Sequence, residues 1–139
     1  AQGYYEKALS AFIRDHHSRR GYYMIGLMHD LALGTPEDYE QARIWYEKAA
    51  ADGYAHAMYS LGRLYESGLG VASDLETALA WYQGAAAQNI PSAVQRLGVF
   101  AAEGYGQEKD MEAARRFFEE AIRLGDEKSA LLMAEYGMK

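Results

Sequence analysis

The sequence has no cysteine among its 139 residues, which excludes disulfide bonds and thiolate metal ligands. Only two prolines occur, Pro36 and Pro91, so long helices can run without interruption. No apolar run approaches the roughly 18 residues that a membrane-spanning helix needs. The formal net charge of −6 argues against nucleic acid as a partner, because binding to phosphates needs a basic surface.

The charge is distributed unevenly along the chain. Residues 1–24 have a net charge of +2, whereas the remainder is strongly acidic. An acidic body with one basic end can steer a basic partner by its electrostatic field. Hydrophobic residues make up 50% of the sequence, which is enough for a continuous core.

A repeat of 36 residues runs through the sequence. At this spacing glycine recurs at Gly26, Gly62 and Gly98, and aspartate recurs at Asp38, Asp74 and Asp110. Alanines follow the same register, and so do the aromatic pairs Trp45-Tyr46, Trp81-Tyr82 and Phe117-Phe118. Several matched positions at one spacing indicate that one structural unit occurs three times.

Each copy has the pattern of two helices. Ala78, Trp81, Tyr82 and Ala85 follow one another at intervals of three or four residues, which is typical of one helix face. We expect Gly68 to end the preceding helix in the left-handed conformation and Asp74 to cap the next one. Left-handed residues are also expected after the second helices, at Gly53, Asn89 and Gly125.

A single helix pair cannot bury its apolar faces alone, so we predict an all-α solenoid of antiparallel helix pairs, with about eight helices and no sheet. The predicted units are a partial repeat at 1–19, full repeats at 20–53, 54–89 and 90–125, and a terminal helix at 126–139. Residues 5 to about 16 are expected to form a second helix without its first partner. Either the chain continues beyond these ends, or the open ends dock on another molecule.

The middle copy contains Leu61-Gly62-Arg63-Leu64-Tyr65, then Gly68-Leu69-Gly70-Val71, and then Asp74, Ala78 and Trp81-Tyr82. This run resembles the Sel-one-like repeat, a relative of the tetratricopeptide repeat. The outer copies depart from it, for example at Ala32 in place of Gly68 and Ala101 in place of Tyr65.

The resemblance implies a right-handed superhelix that binds a protein or peptide, without a cofactor and without catalysis. It also implies a bacterial regulatory, secretion-related or effector-immunity protein, in the periplasm or the cytoplasm. By the same resemblance, the first helix of each pair lines a concave groove. The expected groove residues are Arg20, Tyr23, Leu27, Asp30, His56, Tyr59, Arg63, Glu66, Ser92, Gln95, Val99, Glu103, Lys128 and Leu131.

Among these residues Tyr59 and Arg63 are the first candidates for partner contacts, because Tyr and Arg recur at binding hot spots. The alternative interpretation is that groove positions are ordinary solvated side chains. A second alternative is a structural solenoid that assembles with itself through its open ends. A catalytic or metal site is not expected, because His16 and His17 have no further ligand at helical spacing nearby.

Overall fold

The computed structural model describes residues 7, 10, 11, 13, 14, 17–32 and 38–138. In these ranges the regular structure is entirely α-helical, without any strand, which confirms the predicted fold class. The predicted helix at residues 5–16 lies largely outside the described residues. The described helices are α1 (Arg19–Asp30), α2 (Tyr39–Ala51), α3 (Ala55–Ser67), α4 (Leu75–Ala86), α5 (Pro91–Glu103), α6 (Met111–Arg123) and α7 (Lys128–Glu135).

The recurring aspartates cap the second helix of each pair, as the sequence predicts. Each aspartate has extended backbone, and its carboxylate accepts a hydrogen bond from the backbone N–H three residues later. The N–H···O distances are 3.0 Å for Asp38, 3.1 Å for Asp74 and 3.0 Å for Asp110. Because the first backbone N–H groups of a helix lack internal partners, these caps fix where α2, α4 and α6 begin.

The ends of the helices also follow the predicted pattern. Gly68 ends α3 with a φ of 71°, and the N–H of Asp74 then donates to the carbonyl of Tyr65, which closes the loop. Ala32 takes the same left-handed conformation in the first copy, with a φ of 57°. After the second helices, Gly53, Asn89 and Gly125 have φ values of 82°, 62° and 103°.

The two helices of a pair approach closely at the recurring glycine. A Cβ atom added to Gly62 would lie 2.6 Å from Cε1 of Tyr82, a ring of which only 1% is exposed. Gly26 has the same relation to Tyr46, and Gly98 to Phe118. In each helix pair, the ring of the second helix (Tyr46, Tyr82 or Phe118) therefore fills the space beside the glycine of the first helix.

The helices pack in chain order into a continuous stack. Each second helix packs against the first helix of its own pair and against the first helix of the next pair. One buried cluster joins α2 to α3, and the next joins α4 to α5. A third cluster includes Val99, Phe118 and Met133 and so joins α5, α6 and α7. No helix in the described part of the chain is long and apolar enough to cross a membrane.

The last described helix, α7, differs from the other first helices. It has eight residues, and Leu131 on its surface is 68% exposed. Ala134 stands 36 residues after Gly98, at the position where the other first helices have glycine. The repeated packing geometry therefore places a methyl group in α7 where the other pairs hold an aromatic ring.

Candidate functional site

The side chains of α1, α3, α5 and α7 form a surface that we call the first-helix face. Successive first helices contact one another directly along it. The rings of Tyr23 in α1 and His56 in α3 have centroids 6.1 Å apart, and the amide of Gln95 in α5 donates to Asp126, just before α7, at 3.0 Å.

The predicted groove residues fall into three classes of exposure on this face. Six are exposed and available to a partner, namely Arg20, His56, Ser92, Glu103, Lys128 and Leu131. Six others are partly buried, namely Tyr23, Leu27, Tyr59, Arg63, Glu66 and Gln95. The remaining two, Asp30 and Val99, are buried.

The prediction that Asp30 and Val99 point freely into a groove is wrong. Asp30 is only 5% exposed, because its carboxylate turns inward to two polar partners. Val99 is 8% exposed and belongs to the apolar cluster around Phe118 and Met133. Both side chains are therefore buried within the stack and do not lie exposed on the first-helix face.

Asp30 links three helices. Its carboxylate accepts a hydrogen bond from the hydroxyl of Tyr46 in α2 at 2.7 Å and forms an ion pair with Arg63 in α3. Burial, together with the bond to Asp30, raises the pKa of the Tyr46 hydroxyl well above its ordinary value. The neutral phenol is therefore the stable donor, and Asp30 is the acceptor.

Glu66 forms the same kind of link in the next copy. Its carboxylate accepts from the hydroxyl of Tyr82 in α4 at 2.7 Å and pairs with Arg96 in α5. Burial and this hydrogen bond raise the pKa of Tyr82 well above its ordinary value. The acid and the tyrosine keep the 36-residue register, but the arginines do not, since Arg63 and Arg96 are 33 residues apart.

In the third copy the acid and the hydroxyl are lost together. Ala102 stands at the position of Glu66, and Phe118 stands at the position of Tyr82. A different link joins α5 to the end of α7, where the hydroxyl of Tyr136 donates to Glu103 at 2.7 Å. Burial and this bond raise the pKa of Tyr136 to about 12.

These links change how Tyr59 and Arg63 can be interpreted. The ring of Tyr59 lies against Tyr82, with centroids 5.7 Å apart, and Arg63 neutralises the buried carboxylate of Asp30. Both residues are only partly accessible, and both contribute to the fold. Replacing them by alanine therefore changes stability as well as any partner contact, so they are poor probes of binding.

A surface depression of about 240 Å³ lies at the edge of this face, where the turns after α2 and α4 approach each other. Tyr54 and His56 stand at its side with ring centroids 5.8 Å apart, and both contact Tyr23. A guanidinium nitrogen of Arg19 donates to the carbonyl of Asp52 at 3.3 Å. The lining residues are Arg19, Gly53, Tyr54, Ala55, His56, Gln88 and Ile90.

Arg19, Tyr54 and Gln88 were not among the site residues predicted from the sequence. The predicted residues are positions one helical turn apart on the first helices, whereas Tyr54 and Gln88 lie in turns. A usable signal was present, because Arg19 and Gln88 depart from the repeat. The equivalent positions 36 residues later are Ala55 and Leu124.

The described residues contain no group of three or more His, Asp or Glu side chains that could hold a metal ion. His29 is partly buried, and its Nδ1 atom is buried without a hydrogen-bond partner. Burial lowers the pKa of His29 below its ordinary value of 6.5. His16 and part of its turn lie outside the described residues.

The three helix pairs correspond to a known repeat. The pattern of the Sel1 repeat matches residues 19–54, 55–90 and 91–126. This chain belongs to the Sel1 repeat family. Sel1 repeat proteins are helical scaffolds that generally bind other proteins. None of the curated proteins matches the sequence significantly.

Solved structures of Sel1 repeat proteins share the fold. A Sel1 repeat protein from Oxalobacter formigenes is 30% identical, with a TM-score of 0.85 over 99% of this chain and 59% of the other. The Escherichia coli protein c5321, a protective antigen with the same fold, is 35% identical, with a TM-score of 0.81 over 86% of this chain. This chain therefore spans 59% and 26% of the lengths of these two proteins.

Helicobacter pylori cysteine rich protein B has the same fold at 23% identity, with a TM-score of 0.73 over 91% of this chain and 96% of the other. The present chain has no cysteine at all. Here the glycine–ring contacts join the helices within each pair, and the ion pairs of Asp30 and Glu66 join one pair to the next, without a disulfide bond.

Proposed function

We propose that this chain is a non-catalytic scaffold that binds a protein or peptide partner along the first-helix face. The observation that carries the proposal is that links between neighbouring helices hold this face in place. Asp30 and Glu66 each join two first helices and one second helix. A partner would meet a preformed surface, and preorganisation reduces the entropy lost on binding.

The chemistry of the exposed residues suits a polypeptide. Arg20, His56 and Lys128 are donors, Glu103 is an acceptor, and Leu131 offers an apolar contact. Such a mixed row along successive helices suits an extended or helical segment better than a compact small molecule. We include in the proposal a bacterial regulatory, secretion-related or effector-immunity role; the bacterial origin of two similar proteins supports its bacterial part.

Peptide selection with positional cross-linking would test this function. A random 16-residue peptide library is panned on the immobilised chain, and enriched peptides are offered to variants carrying a photo-cross-linking side chain. Ser92 and Leu131 report on the first-helix face, whereas Gln83 and Arg116, exposed on α4 and α6, are the matched controls. We expect cross-links at the first two positions. A library that yields no binder, or binders that cross-link only to α4 and α6, would refute the proposal.

The alternative of a self-assembling solenoid has one observation in its favour, the exposed Leu131 on α7. Ala134 counts against self-assembly. The methyl group of Ala134 occupies the place on α7 where the second helix of another copy would insert an aromatic ring. Sedimentation over a concentration series distinguishes the two functions. We expect a single species whose mass does not rise with concentration, and a growing series of multimers would favour self-assembly.

A further inference from the structure

We propose that the depression lined by Arg19, His56 and Gln88 binds an acidic side chain of the partner and so fixes one end of a bound peptide. This inference rests on the proposed scaffold function and identifies the chemistry of one of its subsites. The opening of about 240 Å³ is smaller than the roughly 300–1,000 Å³ of small-molecule sites, so it suits one or two side chains of a longer ligand.

The charge of the depression differs from that of the chain. The sequence has 20 acidic and 14 basic residues, but among the residues that the structure describes no acidic side chain lines the depression. Arg19 and His56 supply nitrogen donors, and Gln88 supplies an amide that donates to the carbonyl of Gly53 at 3.1 Å. Tyr54 and Ile90 provide apolar walls for the methylene groups of an aspartate or glutamate.

The repeat supplies an internal comparison for these residues. Positions that the fold requires recur every 36 residues, as Gly53, Asn89 and Gly125 do in the turns. Arg19, His56 and Gln88 do not recur, since the equivalent positions at the next junction are Ala55, Ser92 and Leu124. That junction also has Asp126 in the place of Ile90. The helix pairs pack without these donors, so packing alone does not account for them.

The geometry keeps the donors in place. Arg19 donates to the carbonyl of Asp52, which holds the guanidinium at the edge of the depression, and an arginine has five N–H donors in all. The ring of His56 makes tilted contacts with the rings of Tyr23 and Tyr54, at centroid distances of 6.1 Å and 5.8 Å, which restricts its motion. A carboxylate entering here would accept charge-assisted hydrogen bonds from side chains that are already oriented.

The site also gives the bound segment a direction. Glu103 is exposed further along the first-helix face, where it would repel an acidic segment. The acidic part of a partner would therefore lie at the α1–α3 end, and neutral or basic parts would lie toward α7. An acidic protein can in this way hold a partner that carries both signs of charge in a single orientation.

A titration followed by nuclear magnetic resonance tests the inference on the full chain, labelled with ¹⁵N. The probe is acetyl-Gly-Asp-Glu-Tyr-Asp-Glu-Gly-amide, and the matched probe has Asn and Gln in place of Asp and Glu. We expect the acidic probe alone to shift the amide signals of Ala55, His56 and Gln88. Equal shifts from the neutral probe, or from inorganic phosphate at the same concentration, would overturn the inference.

Variants then assign the binding to the two donors. Arg19→Gln together with His56→Gln should weaken the binding of the acidic probe about three- to tenfold, the range expected for one exposed charge pair and one hydrogen bond. Arg116→Gln removes a charge from the surface of α6 and should leave the affinity unchanged. An unchanged affinity in the double variant, with the thermal midpoint preserved, would overturn the inference.

The peptide selection separates this inference from the scaffold function. Enriched peptides that cross-link at Leu131 but contain no acidic residue would refute the proposed subsite for an acidic side chain and would support the scaffold function. Peptides that need their acidic residues and cross-link at Arg20, beside the depression, would support both.

Discussion

The contact between Gly62 and Tyr82 predicts that a single methyl group destabilises the chain. In Gly62→Ala the new Cβ would lie 2.6 Å from Cε1 and 2.7 Å from Cδ1 of the ring, whereas ordinary contacts are 3.4–4 Å. The ring must therefore retreat by about 1 Å to restore normal van der Waals contact. It cannot do so freely, because it is buried and its hydroxyl is bound to Glu66.

Two opposing effects determine the size of the loss. Overpacking a buried contact costs about 1–3 kcal/mol. Alanine stabilises a helix interior by about 1 kcal/mol relative to glycine. We expect a net loss of up to about 2 kcal/mol for Gly62→Ala. Each kcal/mol lost lowers the thermal midpoint by about 3–5 °C in a chain of this size.

Gly84 in α4 is the matched control for this experiment. A Cβ added there would meet only the sulfur of Met58, at 3.1 Å, and that flexible side chain can move aside. Gly84→Ala should therefore raise the free energy of unfolding by about 0.5–1 kcal/mol through helix propensity. Urea denaturation measures the free energy of unfolding of both variants. If Gly62→Ala is as stable as Gly84→Ala, the close contact between Gly62 and the Tyr82 ring is refuted.

Three further predictions concern the polar links and the partly buried His29. Tyr82→Phe removes the donor to Glu66 and should cost about 1 kcal/mol in urea denaturation; no loss would contradict the link. Arg63→Ala leaves the buried carboxylate of Asp30 without its cation and should cost about 1–3 kcal/mol, less than a fully buried pair because Arg63 is partly exposed. Burial lowers the pKa of His29, so its folded form binds fewer protons than its unfolded form, and stability should fall as the pH drops below about 6.5. In His29→Tyr, the residue type found at the same position of the next copy, this loss should disappear from thermal melts between pH 7 and pH 5; an unchanged pH dependence would exclude His29 as its source.

The sequence was sufficient for features that recur. Aspartate caps, left-handed turn residues and the glycine beside the aromatic ring all follow from local geometry repeated at one spacing. The burial of Asp30 could not be predicted in this way, because its cation comes from another repeat. Arg63 and Arg96 serve the same purpose from different turns of their helices, so no single register identifies both.

The depression could not be predicted from the sequence, because its donor residues do not recur. Its donors are the residues that break the repeat, and periodicity discards such positions as irregularities. Turns from two different helix pairs bring Tyr54 and Gln88 together, and their proximity depends on how the pairs are stacked. In a repeat protein, the positions that depart from the period are therefore the ones to examine for specific binding.

The acid–tyrosine–arginine links have a consequence for exchanging parts between such proteins. Each link takes its acid from one first helix, its hydroxyl from the second helix and its cation from the first helix of the following pair. The smallest transferable block is therefore a helix triplet that overlaps its neighbour by one helix. A chimera joined at the boundary of the sequence repeat would separate a carboxylate from its arginine. A junction after α3 would keep the Asp30 link but separate Glu66 from Tyr82 and Arg96, so a junction after α5 is the first that keeps both links intact.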